Sequence, residues 1–179
     1  NRVFDCEYGI RSGSNSVANP GQDLYIIGNV LHDCHDKRGQ FDANNTWTNG
    51  GIVLPGGVKR YLYNNTVYNC DTGIGCAGDG AFTMSNNLVA NVTKTGANHV
   101  WIPDEAGNTA WTLIKNLLSQ DGGVIKVKFR NTVYNVTTLQ ANQASKASGN
   151  LAADPNLVAP TQGDFHPLSG SPVVDAGAA

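Results

Sequence analysis

Apolar positions along this chain recur in a fixed relation to asparagine. An Asn is followed two residues later by an aliphatic side chain and five residues later by a small, buried-type one. The copies are Asn1-Arg2-Val3-Phe4-Asp5-Cys6, Asn29-Val30-Leu31-His32-Asp33-Cys34, Asn65-Thr66-Val67-Tyr68-Asn69-Cys70 and Asn87-Leu88-Val89-Ala90-Asn91-Val92. A weaker copy is Asn116-Leu117-Leu118-Ser119-Gln120-Asp121, and successive copies lie 28, 36, 22 and 29 residues apart. Downstream, Gly precedes a β-branched residue in Gly9-Ile10, Gly51-Ile52, Gly73-Ile74 and Gly123-Val124, with His99-Val100 as the exception. Upstream lie the strand-like runs Leu24–Ile27, Arg60–Tyr63, Phe82–Ser85 and Trp111–Ile114.

Three short strands per unit of about 22 residues, with insertions between them, predict an all-β, right-handed, single-stranded parallel β-helix of about five coils. Side-chain alternation sharpens that expectation, because stacked coils must place apolar residues in common inward columns. Three residues before the Asn stand Ile26, Leu62, Met84 and Leu113; two after it, Val3, Leu31, Val67, Val89 and Leu118. The Gly-linked column reads Ile10, Ile52, Ile74, Val100 and Val124. The Asn has its own role: it tolerates left-handed φ at a turn, and its amide can bond the equivalent Asn one coil away, forming an asparagine ladder. Residues 1–136 are therefore expected to form the coils. Residues 137–179 are expected to form a C-terminal cap, with a helix over Thr137–Lys146 capped through Thr137 and Gln140 and stopped at Gly149. Val124–Phe129 and Thr132–Val136 are expected to pair about Arg130-Asn131. The first coil has no cap of its own, so either further coils of the same polypeptide or end-to-end self-association would cover its N-terminal face.

Composition narrows the function. The 179 residues fit one domain. Gly and Asn number 21 each and Glu only two, a profile that favours turns over helix. Charged residues make up 15% and the net charge is −2, with Lys and Arg scattered, which excludes a nucleic-acid footprint. No apolar run approaches the ~20 residues of a membrane span. No signal peptide and no initiator Met are present, which reads as a mature form or a fragment. Cys6, Cys34 and Cys70 share one column, where they are either buried small apolar residues or a bridge between Cys34 and Cys70 or Cys6 and Cys34, because neighbouring strands lie about 4.8 Å apart. The absence of CxxC argues against zinc.

The closing stretch Asp154-Pro155-Asn156-Leu157-Val158, Asp164-Phe165-His166-Pro167-Leu168 and Gly170-Ser171-Pro172-Val173-Val174-Asp175-Ala176-Gly177, together with the repeats, resembles the polysaccharide-lyase-like right-handed parallel β-helix proteins over essentially the whole chain. The resemblance implies a secreted, cell-surface or periplasmic protein whose partner is a polysaccharide. If the chain is an enzyme, it implies β-elimination on a uronate-containing substrate, or less favourably glycoside hydrolysis. Such elimination needs a cation, calcium in some relatives, to neutralise the carboxylate, and a Lys or Arg base at the α-proton. The matching outward column is Arg11, Val53, Gly75, Trp101, Ile125, and only Arg11 is basic. The insertion after Cys34 carries His35, Asp36, Lys37, Arg38, Asp42 and Trp47. Of these, His35, Asp36 and Arg38 are catalytic candidates beside Arg11, and Trp47 suits sugar stacking. His99, Trp101, Asp104 and Glu105 form a third cluster, in which Trp101 and Asp104 are binding candidates; carboxylates for hydrolysis would come from neighbouring coils, among them Asp33, Asp36 and Asp71. Lys59 and Arg60 complete the binding candidates; Arg60 shares a column with Leu24, Phe82 and Trp111, so it is either buried and paired or, the favoured reading, a strand-end surface residue. No cofactor is required by this reading. Its alternative is a structural module that stacks through its N-terminal coil.

Overall fold

The computed structural model describes residues 1–12, 23–36, 50–54, 58–76, 80–102 and 110–174. The chain visits three parallel sheets in rotation. Sheet A contains β1 (Arg2–Phe4), β4 (Val30–His32), β7 (Thr66–Tyr68), β10 (Leu88–Ala90), β13 (Leu117–Ser119) and β17 (Leu151–Ala152). Sheet B contains β2 (Tyr8–Arg11), β5 (Gly50–Leu54), β8 (Ile74–Cys76), β11 (Val100–Ile102) and β14 (Val127–Phe129). Sheet C contains β3 (Asp23–Ile27), β6 (Lys59–Tyr63), β9 (Phe82–Ser85), β12 (Trp111–Ile114) and β16 (Ala147–Ser148). Each repeat thus supplies one strand to each sheet, and every strand pairs in register with its counterpart one repeat away.

Register explains the core. Val3, Leu31, Val67, Val89 and Leu118 stack inward from sheet A, and Ile26, Leu62, Met84 and Leu113 from sheet C. The sheet B column is Ile10, Ile52, Ile74 and Val100, and Val127 continues it. Val124, the residue expected there, is 69% exposed. The turn at Gly122-Gly123 delays the strand by three residues, so Lys128 rather than Ile125 follows Trp101 in the outward column. From Leu31 to Leu118 these inward aliphatics are buried, each burial contributing roughly 1.5–3 kcal/mol.

The asparagine ladder holds the corner between sheets C and A. Asn1, Asn29, Asn65, Asn87, Asn116 and Asn150 form one file in which each Nδ2 donates to the next Oδ1 at 2.9–3.0 Å. The same Oδ1 accepts the backbone N–H of the preceding Asn at 3.0–3.1 Å from Asn29 onward. The left-handed φ expected at the Asn belongs to the residue before it, Gly28, Asn64, Asn86, Lys115 or Gly149. The Asn itself is not among the positive-φ residues, and its amide points into the stack. A second left-handed position follows each of the first four sheet A strands, at Asp5, Asp33, Asn69 and Asn91.

Between sheets A and B the repeats approach closely. A Cβ placed on Gly73 would overlap the His99 carbonyl oxygen and sit 2.7 Å from Val89 Cγ1, and Gly51 and Gly9 stand in the same position one and two repeats earlier. This close approach is what the Gly-Ile pairs encode.

After β14 the chain turns at Arg130 into β15 (Thr132–Tyr134), antiparallel to it. Helix α1 spans Val136–Asn142 rather than Thr137–Lys146. Its cap is Asn135, whose Oδ1 accepts from Thr138 N while Thr138 Oγ1 accepts from Asn135 N. Val136 and Leu139 from α1 join the core of the last repeat. The remainder of the expected cap goes elsewhere. β18 (Leu157–Ala159) and β19 (Asp164–Pro167) pair antiparallel, and Phe165 rests on His32 and Tyr68 with ring centroids 5.2 and 5.5 Å away. Gly163, at φ 78°, lies against the Arg2 guanidinium, so this strap crosses the outer face of sheet A back to the first repeat. It covers Tyr68, Leu88, Ala90 and Leu117.

Candidate functional site

The corner after sheet A gathers the titratable side chains. His35, Asp71 and Thr93 each stand one residue past the small-residue column of Cys34, Cys70 and Val92, so successive repeats stack them. Backbone bonds keep the spacing: His35 N donates to Cys6 O, Asp71 N to Cys34 O and Thr93 N to Cys70 O, at 2.9–3.0 Å. Asp71 is 3% exposed and its carboxylate is well supplied with donors. Oδ1 bonds His35 Nδ1 at 2.9 Å and accepts from Thr93 Oγ1 at 3.1 Å, and Oδ2 accepts the Asp36 N–H at 2.7 Å. Lys94 Nζ stands 3.9 Å from Oδ2. With Nδ1 held at Asp71, the His35 imidazole turns its other nitrogen away from the carboxylate.

Thr93 and Lys94 also line a cavity in this corner, whose other polar walls are Thr95, His99, Gln120 and Lys126. Its volume is 280 Å³, and it brings two lysines, one per repeat, to a single opening. His99 at its back is buried and fully bonded: Nε2 meets Ser119 O at 2.9 Å and Nδ1 accepts from Lys126 N at 3.2 Å. Burial pushes its imidazole down to about 4, and the neighbouring Lys126 charge works in the same direction. One strand earlier, Asp33 bonds His32 Nδ1 and Asn69. Burial works to raise its carboxyl, but those hydrogen bonds outweigh the burial and hold it below the usual range.

Of the catalytic candidates, His35 and Asp36 are brought together on Asp71, whereas Arg11 lies on the outer face of sheet B with its guanidinium over the Tyr8 ring at 5.0 Å. Val53 and Gly75, between Arg11 and Trp101 in that outward column, are buried, so the column offers no continuous open strip. Trp101 is half-buried beside Lys128. Arg38, Trp47 and Asp104, with Lys37, Asp42 and Glu105, lie outside the described residues.

Lys59 is exposed and stands in register with Asp23. Arg60 is a correction: it is 1% exposed, pointing inward between Leu24 and Phe82 rather than lying on the surface, so it cannot touch a polysaccharide. Its guanidinium reaches the Cys76 thiol, which burial nevertheless pushes up to about 12. Among the described residues no group of three or more His, Cys, Asp or Glu side chains is placed to hold a metal ion. No helix among them is long and apolar enough to cross a membrane.

Sequence reasoning offered Asp71 only as a carboxylate for hydrolysis, without pairing it to His35, and passed over Lys94 and Lys126 as site residues. The signal for Asp71 was available: reading the column one place past Cys34 and Cys70 sets it beside His35. Lys126 depends on the delayed entry into β14, which the regular repeat does not announce. On sheet C, Tyr25 and Tyr61 stack at 4.8 Å and Tyr63 packs beside them at 6.2 Å, an outward aromatic file also not anticipated. No family model matches the chain, and neither the curated proteins nor the solved structures yield a match.

Proposed function

We propose that this chain is a right-handed parallel β-helix of the polysaccharide-lyase-like kind, acting outside the cell or at its surface, and that it binds an acidic polysaccharide at the corner between sheets A and B. The observation that carries this reading is the pair Lys94 and Lys126 at one cavity, next to the His35–Asp71 pair. Two ammonium groups at one opening suit a carboxylate-bearing sugar, since a charge-assisted bond to a carboxylate is about twice as strong as a neutral one. The sheets, visited in rotation with an Asn file at one corner, support the architecture. His35, oriented by Asp71, is the group in this corner suited to take an α-proton, so β-elimination is the chemistry to test.

The test is affinity electrophoresis in gels containing polygalacturonate or alginate. The wild-type chain is expected to be retarded, less so at high salt, and a Lys94→Ala, Lys126→Ala double variant to bind at least about tenfold more weakly. Equal retardation of the two proteins would overturn the reading. Growth of ultraviolet absorbance from unsaturated uronyl ends, lost in His35→Ala, would extend binding to catalysis.

A second reading, an assembly module, is favoured by one feature. β1, β2 and β3 are all edge strands on the same side of the molecule, and there Phe4 and Tyr25, each 58% exposed, end the aromatic files that continue into His32 and Tyr61. Light scattering that shows concentration-dependent growth, abolished by Phe4→Glu, would select it.

A further inference from the structure

Three thiols from three successive repeats meet in one column. Cys6 Sγ and Cys34 Sγ are 3.3 Å apart, and Cys70 lies within hydrogen-bonding reach of Cys34 on the other side. All four cysteines of the chain are thiols in this structure, and the fourth, Cys76, stands in a different column beside Leu54. The backbone bonds from His35 N to Cys6 O and from Asp71 N to Cys34 O hold the repeats at strand spacing where the cysteines sit. Strand neighbours lie about 4.8 Å apart, inside the Cα separation of roughly 4.4–6.8 Å that a disulfide spans. Both Cys6–Cys34 and Cys34–Cys70 therefore satisfy the spacing requirement, whereas Cys6 and Cys70 are two repeats apart and do not.

We propose that the column is a redox site that holds one disulfide with Cys34 as its obligatory arm, in either of two registers, Cys6–Cys34 or Cys34–Cys70. Access sets the order of events. Cys6 is half-buried and Cys34 and Cys70 are buried, so an external disulfide such as oxidised glutathione meets Cys6 first. The Cys6 thiolate, its proton lost to solvent, attacks one glutathione sulfur; a Cys6–glutathione bond forms and one glutathione thiolate leaves. The Cys34 sulfur then attacks Cys6, the second glutathione departs, and the Cys34 proton leaves with it. The two protein thiols are oxidised by two electrons and one glutathione disulfide is reduced to two thiols. Attack of Cys70 on Cys34 afterwards moves the bridge one repeat along and returns Cys6 to a thiol, with no net redox change. Hydrogen bonding by Cys70 and burial both raise the Cys34 thiol, so closure is expected to be slow. This site is independent of the polysaccharide reading.

The test incubates the full chain with oxidised glutathione, quenches in denaturant with a maleimide, and maps the peptides by mass spectrometry. Two of the four thiols are expected to be lost with no retained glutathione, Cys34 to appear in every bridge, and Cys76 to be alkylated throughout. Cys6→Ala, which removes the accessible entry thiol, is expected to slow oxidation strongly and to give Cys34–Cys70 as its sole bridge, Cys70→Ala only Cys6–Cys34, and Cys34→Ala a stable glutathione adduct on Cys6 with no bridge. Four alkylated thiols in the wild type and in Cys70→Ala after prolonged incubation, or a Cys6–Cys70 bridge in any protein, would overturn the proposal. Because Cys70→Ala keeps the half-exposed pair, a folding defect in Cys34→Ala leaves the result decisive.

Discussion

Asn65, Asn87 and Asn116, in the middle of the ladder, each satisfy four or more hydrogen-bonding groups at once. Asn87 Oδ1 accepts from Asn65 N and Asn65 Nδ2, while its own Nδ2 donates to Asn116 Oδ1 and to the carbonyls of Leu62 and Ser85. Asn87→Ala would strand buried donors on Asn65 and the buried Leu62 carbonyl, each at about 1–3 kcal/mol, so urea denaturation is expected to show a loss of about 3 kcal/mol. Asn1→Ala, at the exposed end of the same file, removes a single bond and is expected to cost well under about 1 kcal/mol. Comparable losses for the two variants would show that the ladder is not cooperative. His99 belongs to the same scale. Its folded value near 4 lies below the usual 6.5. Between those values the unfolded chain takes up a proton that the folded chain refuses, so the contribution of neutral His99 is complete above the upper value and is lost as pH falls toward the lower. The full loss is on the order of 3 kcal/mol. Denaturation midpoints measured from neutral pH downward are expected to fall more steeply for the wild type than for His99→Gln; parallel curves would refute the assignment.

At the scale of strands and turns, the contact between sheets A and B is set by backbone approach. Gly73→Ala would drive a methyl into the His99 carbonyl and Val89, and an overpacked site of this kind costs about 1–3 kcal/mol or more. A matching fall in thermal midpoint is the expected result, and an unchanged midpoint would mean that the corner relaxes freely. Much of this element level was readable in advance. The inward columns from Leu31 to Leu118 follow from period-two alternation counted from each Asn, and the strand runs before each Asn agree with β3, β6, β9 and β12. What escaped did so for physical reasons. Arg60 is a charge in an otherwise apolar column, and composition alone argues for the surface. Asn150 lies 34 residues past Asn116, because β14, β15 and α1 intervene and mask the repeat. Asn135 rather than Thr137 caps α1 because Thr138, three residues on, returns the bond. The site was half legible: His35 and Asp36 stood out as titratable neighbours, whereas Lys126 depends on where β14 begins and Lys94 on the fold bringing it alongside Asp71.

For the whole molecule, the stack is graded from one end to the other. Nearly all strand pairing joins residues more than twenty positions apart, so each repeat is stabilised by its neighbours rather than by itself. The last repeat is closed by α1, while in the first Val3, Ile10 and Leu24 are only half-buried against the core. The strap compensates along one side: Phe165 sits on His32 and Tyr68, and Arg2 lies against Gly163, so the C-terminal segment clasps the first repeats from outside. Local opening free energies follow buried contact and edge position. Hydrogen exchange is therefore expected to be fastest in β2 and β3, slower in β1 and β4 beneath the strap, and slowest in β8, β10 and β11. Phe165→Ala is expected to accelerate exchange at Val30 and Thr66, whose N–H groups bond Asn1 O and Asn29 O, by roughly ten- to thirtyfold, the effect of about 1.4–2 kcal/mol, while leaving Leu117 N–H little changed. A uniform change across all repeats would mean that the molecule opens as a single unit and that the strap is not a local clasp.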